Sequence, residues 1–208
     1  MRVLLADDHQ IVREGLRGLL EKAGHEVVGE AADGHEARKL ARALNPDIAV
    51  LDLSMPLLNG MDAAREIRSL SPGIKTIMLS MYPDKRYVLQ ALKVGAKGYV
   101  LKSQAAEDLL RAIREVARGE VYLSPEVAES VVDAYLDKTE AAADPLTPRE
   151  RQVVQLVAEG SSTKEVAKIL NISFKTAESH RNHVMKKLGI HDVVALMRYA
   201  IEAGLVQI

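Results

Sequence analysis

Three carboxylates, one hydroxyl and one amine stand where apolar runs end in the first half of this chain. RVLLA runs into Asp7 and Asp8, DIAVL into Asp52, KTIML into Ser80 and GYVL into Lys102. Oxygen donors of this kind suit a hard divalent cation, and Mg²⁺ takes one or two carboxylates together with water and phosphate oxygens. A bound cation also relieves the repulsion between the adjacent acids. Asp52 is then a nucleophile able to accept a phosphoryl group. The equatorial oxygens of that group need neutralising, which the cation, Lys102 and the Ser80 hydroxyl can share. One acid at a strand end is ordinarily a solvated loop residue; five complementary groups at four such ends are not explained that way. His9 follows the acids but has no Cys or second His at ligand spacing, so the sequence gives it no metal role.

These groups need elements that bring them to one edge. Up to residue 118, short runs rich in Val, Ile and Leu (RVLLA, EVVGEA, DIAVL, KTIML, GYVL) alternate with segments of helical spacing, such as Leu109, Leu110, Ile113 and Val116. The runs lack polar alternation, as parallel strands covered on both faces do. Five βα units predict an α/β domain with a doubly wound, five-stranded parallel sheet. Ligands of such sheets bind beyond the carboxyl ends of the strands, where strand order reverses.

The 208 residues suffice for one ordinary domain and a small one, and 48% apolar residues allow a real core. The absence of Cys rules out disulfides, thiolate catalysis and Cys-ligated zinc. No apolar run is long enough for a membrane span and no leader pattern is present, so a cytoplasmic location without membrane attachment is expected. Charge is unevenly distributed. Residues 1–118 carry 18 basic and 16 acidic side chains, residues 119–144 one and seven, and residues 145–208 nine and six. A basic end beyond an acidic segment suggests that the end has its own anionic partner. The divisions expected are therefore 1–118, an acidic linker 119–144 with a helix of roughly 125–137 opened by Ser124-Pro125, and 145–208.

The last segment is punctuated by caps. Thr147-Pro148-Arg149-Glu150 and Ser162 to Glu165 are capping boxes, Ser173 caps a third helix that stops at Gly189, and a fourth covers about 193–203. A short helix, a tight turn and a longer polar helix form a helix-turn-helix arrangement. At about 100° per residue, Lys175, Glu178, Ser179, Asn182 and Lys186 share one polar arc of the third helix, opposite Ala177, Val184 and Leu188. A polar face of this kind can reach base edges.

Together, the DD pair, DLSMP around Asp52, LS ending the fourth strand and YVLK at the fifth resemble the flavodoxin-like receiver domain of bacterial two-component response regulators. LTPRERQVVQLVAEGSSTKEVAKIL and TAESHRNHVMKKLGI resemble the LuxR-type DNA-binding domain, so the whole chain resembles a NarL/FixJ-family regulator. The resemblance implies that Asp52 is the phospho-acceptor, that Asp8 binds Mg²⁺ directly and Asp7 through water, and that the Ser54 backbone carbonyl completes the protein ligands. It implies Ser80 and Tyr99 as switch residues and Lys102 as the phosphoryl-binding amine. It makes Glu178, Ser179 and Asn182 base-reading candidates, and Lys175, Thr176, Arg181, Lys186 and Lys187 phosphate-contact candidates. Thr163 could offer its backbone N–H to a phosphate, although relatives often carry Asn there. The expected partners are double-stranded promoter DNA, a histidine kinase or small phosphodonor, and a second copy of the chain when phosphorylated. Val194, Met197, Ala200 and Ile201 line one side of the last helix, either buried within the domain or pairing two domains. Many receivers follow the lysine with Pro; Ser103 stands here and leaves that peptide's geometry open.

Two other readings are a constitutive DNA binder whose receiver only assembles, and a phosphohydrolase using Asp52. The full set of acids, hydroxyl and lysine argues against the first. Against the second, such hydrolases place a second Asp two residues beyond the nucleophile, where this chain has Ser54. No enzyme is expected.

Overall fold

All five strands expected from the apolar runs form, at Arg2–Ala6 (β1), Glu26–Ala31 (β2), Ile48–Asp52 (β3), Lys75–Ser80 (β4) and Gly98–Leu101 (β5). In this computed structural model, which describes residues 1–136 and 145–206, the strands alternate with Gln10–Lys22 (α1), Gly34–Leu44 (α2), Gly60–Leu70 (α3), Lys85–Val94 (α4) and Ala105–Ala117 (α5). The sheet is parallel throughout. Its order, β2-β1-β3-β4-β5 with one further strand, reverses between β1 and β3. That is the doubly wound topology in which the crevice lies at the carboxyl ends of β1 and β3.

The unbroken apolar runs have a structural cause. Every residue of β3 is buried, since a central strand is covered on both faces. Val3, Leu5, Ile48, Val50, Ile77 and Leu79 form one face and pack with Leu16 and Leu20 of α1 and Leu109, Ile113 and Val116 of α5. Each fully buried side chain of this size contributes about 1.5–3 kcal/mol relative to exposure.

The sheet has six strands, not five. Tyr122–Leu123 (β6) pairs in parallel with β5, Gly98 opposite Tyr122 and Tyr99 opposite Leu123. The pairing lies in the segment expected as linker. A two-residue strand is too short to show a period, and its hydrogen bonds to the neighbouring strand, rather than its own sequence, make it a strand. Pro125–Leu136 (α6) follows, with Val127 buried. The side chains of Tyr135 and Leu136, and the acidic stretch 137–144, lie outside the described residues.

Four helices make the second unit: Pro148–Ala158 (α7), Thr163–Ile169 (α8), Phe174–Leu188 (α9) and Val193–Glu202 (α10). Both capping boxes are formed, with Thr147 and Glu150 closing α7 and Ser162 and Glu165 closing α8. Each cap satisfies helix N–H groups that would otherwise lack partners, worth about 1 kcal/mol per helix end. Ser173 caps α9, and Gly189 ends it in the left-handed conformation at φ 66°. Val153, Val154, Leu156, Ala177, Val184, Leu196 and Ala200 are the centre of the small core. No helix among the described residues is long and apolar enough to cross a membrane.

Candidate functional site

β1 and β3 end side by side, Ala6 opposite Leu51, so Asp7 and Asp52 emerge together. Each is 1% exposed, whereas Asp8 is turned to solvent. β5 lies one strand beyond β4 and delivers Lys102 to the same edge. Its ammonium is 2.7 Å from Asp7 Oδ2 and 2.9 Å from Asp52 Oδ1. Asp52 Oδ2 is buried and has no hydrogen-bond partner among the described residues.

Burial dominates the acidity of Asp52. Desolvation pushes its carboxyl up from 3.8 to about 6, Lys102 opposes this, and the charges of Asp7 and Asp8 add to it. For Lys102, burial favours the neutral amine, but Asp52 and Asp7 outweigh it and hold the pKa above its ordinary value. The pocket thus holds more negative charge than one lysine balances. Ligand atoms of Asp7, Asp8, His9 and Asp52 lie within 4.8 Å of one another. Oxygen donors at that spacing, with one carboxylate oxygen unpartnered in the interior, fit a hard divalent cation. His9 has no Cys or second His near it in the chain, but the fold puts its ring among carboxylates.

Ser80 and Tyr99 converge on the segment after β4. Ser80 Oγ accepts from the Tyr82 N–H at 3.0 Å, and the Tyr99 hydroxyl donates to the Tyr82 carbonyl at 2.8 Å. Tyr99 is fully buried, which raises its phenol pKa. The peptide after Lys102 is trans, like every described peptide bond, and Lys102–Gln104 makes a 3₁₀ turn.

Gly60, the first residue of α3, also borders the pocket. A Cβ there would come within 2.0 Å of the Asp52 backbone oxygen. The first residue of α3 is therefore glycine because the helix passes against the backbone of Asp52. Close approach of this kind depends on tertiary packing and leaves no sequence signal. Ser54, in the loop between β3 and α3, is 9% exposed.

In the second unit, Ala177 and Val184 of α9 are buried while Lys175, Thr176, Glu178, Ser179, Asn182 and Lys186 are exposed. Arg181 is partly covered, and its guanidinium donates to Thr163 Oγ1 at 3.2 Å, tying α9 to the start of α8. Lys187 also has an internal partner: its ammonium is 2.8 Å from Glu150 Oε2. That contact, with the Thr147 N–H, holds the Glu150 carboxyl down at about 2. On α10, Leu196 and Ala200 are buried, whereas Val193, Val194 and Met197 are exposed.

Residues 3–114 match the family described as response regulator receiver domain, and residues 144–200 the family described as bacterial regulatory proteins, luxR family. The transcriptional regulatory protein MctR of Rhizobium johnstonii is 38% identical over 99% of this chain and 95% of its own length. The oxygen regulatory protein NreC of Staphylococcus carnosus is 38% identical over 99% of each. Among solved structures, RcsB of Salmonella enterica serovar Typhimurium, bound to promoter P1flhDC in the presence of the phosphomimetic BeF₃⁻, is similar at 32% identity. Its TM-score is 0.66, covering 96% of this chain and 97% of that one.

Proposed function

The chain belongs to the response regulators that join a receiver domain to a LuxR-type DNA-binding domain, and from this we propose that phosphorylation of Asp52 controls promoter binding through the exposed face of α9. The receiver assignment is 1–118, the connection 119–144 and the DNA-binding segment 145–208. The single observation that carries the reading is the pocket itself: a buried carboxylate with an unpartnered oxygen, beside a lysine shared between it and Asp7.

A phosphodonor, either a histidine kinase or a small acyl phosphate, presents its phosphorus to Asp52 Oδ2. The new P–O bond forms as the bond to the donor's leaving group breaks. Lys102 leaves the carboxylates to pair with a phosphoryl oxygen, and Ser80 Oγ turns from Tyr82 N–H to donate to another. Loss of that contact loosens the segment to which the Tyr99 hydroxyl is bonded, which is how the event reaches β5. Asp7, Asp8, Asp52 and the Ser54 carbonyl would hold Mg²⁺, which when bound supplies further neutralisation of the phosphoryl charge.

For DNA, Glu178, Ser179 and Asn182 read base edges, while Lys175, Thr176 and Lys186 contact phosphates. Arg181 and Thr163 act as a pair: the guanidinium orders the start of α8, whose Thr163 N–H faces a phosphate. Lys187 contributes a weaker phosphate contact, since it also closes the Glu150 ion pair. An RcsB structure contains two dimers bound to two DNAs, which supports a dimer here, with the exposed Val194 and Met197 as part of its contact. The protein acts in the cytoplasm, where its promoter DNA lies. Phospho-transfer tests the reading directly. Acetyl phosphate with Mg²⁺ should add one phosphoryl mass to the peptide holding Asp52 and none to Asp52→Asn; a labelled Asp52→Asn chain would overturn the assignment.

A further inference from the structure

We propose that the phenyl ring of Phe174 is a base-reading group, seated on the C5-methyl of a thymine or a 5-methylcytosine in the major groove. The proposal rests on α9 being the helix that reads DNA, and it adds a contact to that reading.

Phe174 is the first residue of α9 and is 48% exposed. Packing of the helix does not account for the ring. The residues placed to staple the entry of the chain into α9 are Ile172, just before the cap, and Ala177 in the first turn, and both belong to the small core. Ala177, Val184 and Leu188 fill the inner side of the helix, so the core closes without Phe174.

The ring belongs instead to an exposed ridge. Residues four apart stand one above another on a helix, which puts Phe174, Glu178, Asn182 and Lys186 in one row, all exposed. The row opens with an apolar ring, continues with two hydrogen-bonding groups and ends with a cation. Its start is held by the cap: Ser173 Oγ accepts from the Thr176 N–H at 3.1 Å and lies 2.8 Å from Thr176 Oγ1.

The surroundings select the partner. Lys175 and Lys186 on α9 and Lys164 and Lys168 on α8 are exposed, and residues 145–208 carry nine basic side chains against six acidic. An apolar group among cations fits a surface with anionic rims and an apolar floor. The major groove has both, phosphates along its rims and, among its base edges, the thymine methyl that Phe side chains contact. Residues at the amino end of a recognition helix are the ones that meet base edges. Four residues of helix span about 6 Å, or about two base-pair steps, which sets the distance of the methyl from the base that Glu178 reads. 5-Methylcytosine carries its methyl at the same place; cytosine and uracil lack it.

The probe is a duplex selected by the full chain, with beryllofluoride and Mg²⁺ present, from a pool with a randomised centre. Thymines of the selected site are replaced one at a time by uracil, which deletes the methyl and keeps the base pair. One thymine in each half-site, about two base pairs from the position whose preference Glu178→Ala relaxes, should bind about fourfold more weakly as uracil. Phe174→Ala should bind the two duplexes equally. At the same position wild type should prefer 5-methylcytosine to cytosine about fourfold, and Phe174→Ala should not distinguish them. The absence of a uracil-sensitive thymine there, or sensitivity that survives in Phe174→Ala, overturns the role of Phe174. A variant with unchanged DNA selectivity assigns the ring to a protein surface instead. If no sequence is enriched, or if neither Glu178→Ala nor Asn182→Ala alters the selected sequence, the reading of DNA by α9 fails and this inference with it.

Discussion

Asp52 is ionised at the expense of stability, and this gives the site a pH signature. Its folded pKa of about 6 lies above the ordinary 3.8, so the folded chain holds this proton where the unfolded chain has released it. Stability is lost as pH rises through that window, and the loss is complete above it, at most about 2–3 kcal/mol. Asp52→Asn removes the buried charge. Without divalent cations it should melt a few degrees above wild type near about pH 7.5, and the gain should vanish by about pH 4. Mg²⁺ should raise the melting temperature of wild type alone, since binding only the folded state adds stability. Self-phosphorylation at low Mg²⁺ should correspondingly fall as pH drops through about 6, the carboxylate being the nucleophile. Gly60→Ala tests the close approach beside it. With a Cβ 2.0 Å from the Asp52 backbone oxygen, α3 or Asp52 must shift. A loss of about 1–3 kcal/mol in denaturant unfolding with slower phosphorylation is expected; an unperturbed variant would show that the approach is soft. The acids, hydroxyl and lysine could be found in the sequence because each follows an apolar run. Gly60 could not, because its reason is a neighbour eight residues away in the chain and across a loop.

Among elements, the contrast between β6 and α7 to α10 shows what a sequence discloses. Three of the helices carry local end signals, the capping boxes of Thr147 with Glu150 and Ser162 with Glu165 at the starts of α7 and α8, and Ser173 and Gly189 at the two ends of α9, and each is realised where it stands. β6 is defined by its partner. Ser124 follows it and bonds to β5 at two points: its N–H donates to the Tyr99 carbonyl at 3.0 Å, and its Oγ accepts from the Leu101 N–H at 3.3 Å. The same hydroxyl donates to Asp108 of α5, which also takes the Tyr122 hydroxyl at 2.8 Å. α6 begins at the next residue, so the exit of the chain from the receiver is bonded to the strand that holds Tyr99 and leads to Lys102. Ser124→Ala should leave phospho-transfer intact but reduce the change in DNA affinity it causes, measured as the ratio of affinities with and without phosphorylation. In the second unit, the Lys187–Glu150 pair joins α9 to the cap of α7, a long-range contact that a helical projection of α9 cannot reveal. Because the Glu150 pKa is depressed from 4.5 to about 2, this contribution is present above about pH 4.5 and lost as pH falls through 2. Lys187→Met should destabilise the domain by about 1 kcal/mol at neutral pH, discounted for the partial exposure of the lysine, and by less in acid. Equal effects at both pH values would contradict the ion pair.

At the scale of the whole molecule, one buried charge change must alter the affinity of a surface built from a different part of the chain. The two ends are chemically unlike: an acidic crevice at the switch point of a parallel sheet, and a polar helix face with a basic border. Each lysine on that border should contribute one counterion. Lys175→Ala and Lys186→Ala should each lower the slope of log affinity against log salt by about 1. Glu178→Ala and Asn182→Ala should instead change preference among promoter sequences with little effect on the slope. The central claim, that Asp52 governs DNA binding, is tested most directly by promoter affinity at fixed salt, with and without beryllofluoride and Mg²⁺, for wild type and Asp52→Asn. The account predicts that beryllofluoride tightens binding by wild type and leaves Asp52→Asn unchanged. Equal tightening of both chains, or wild-type affinity indifferent to beryllofluoride, would contradict it.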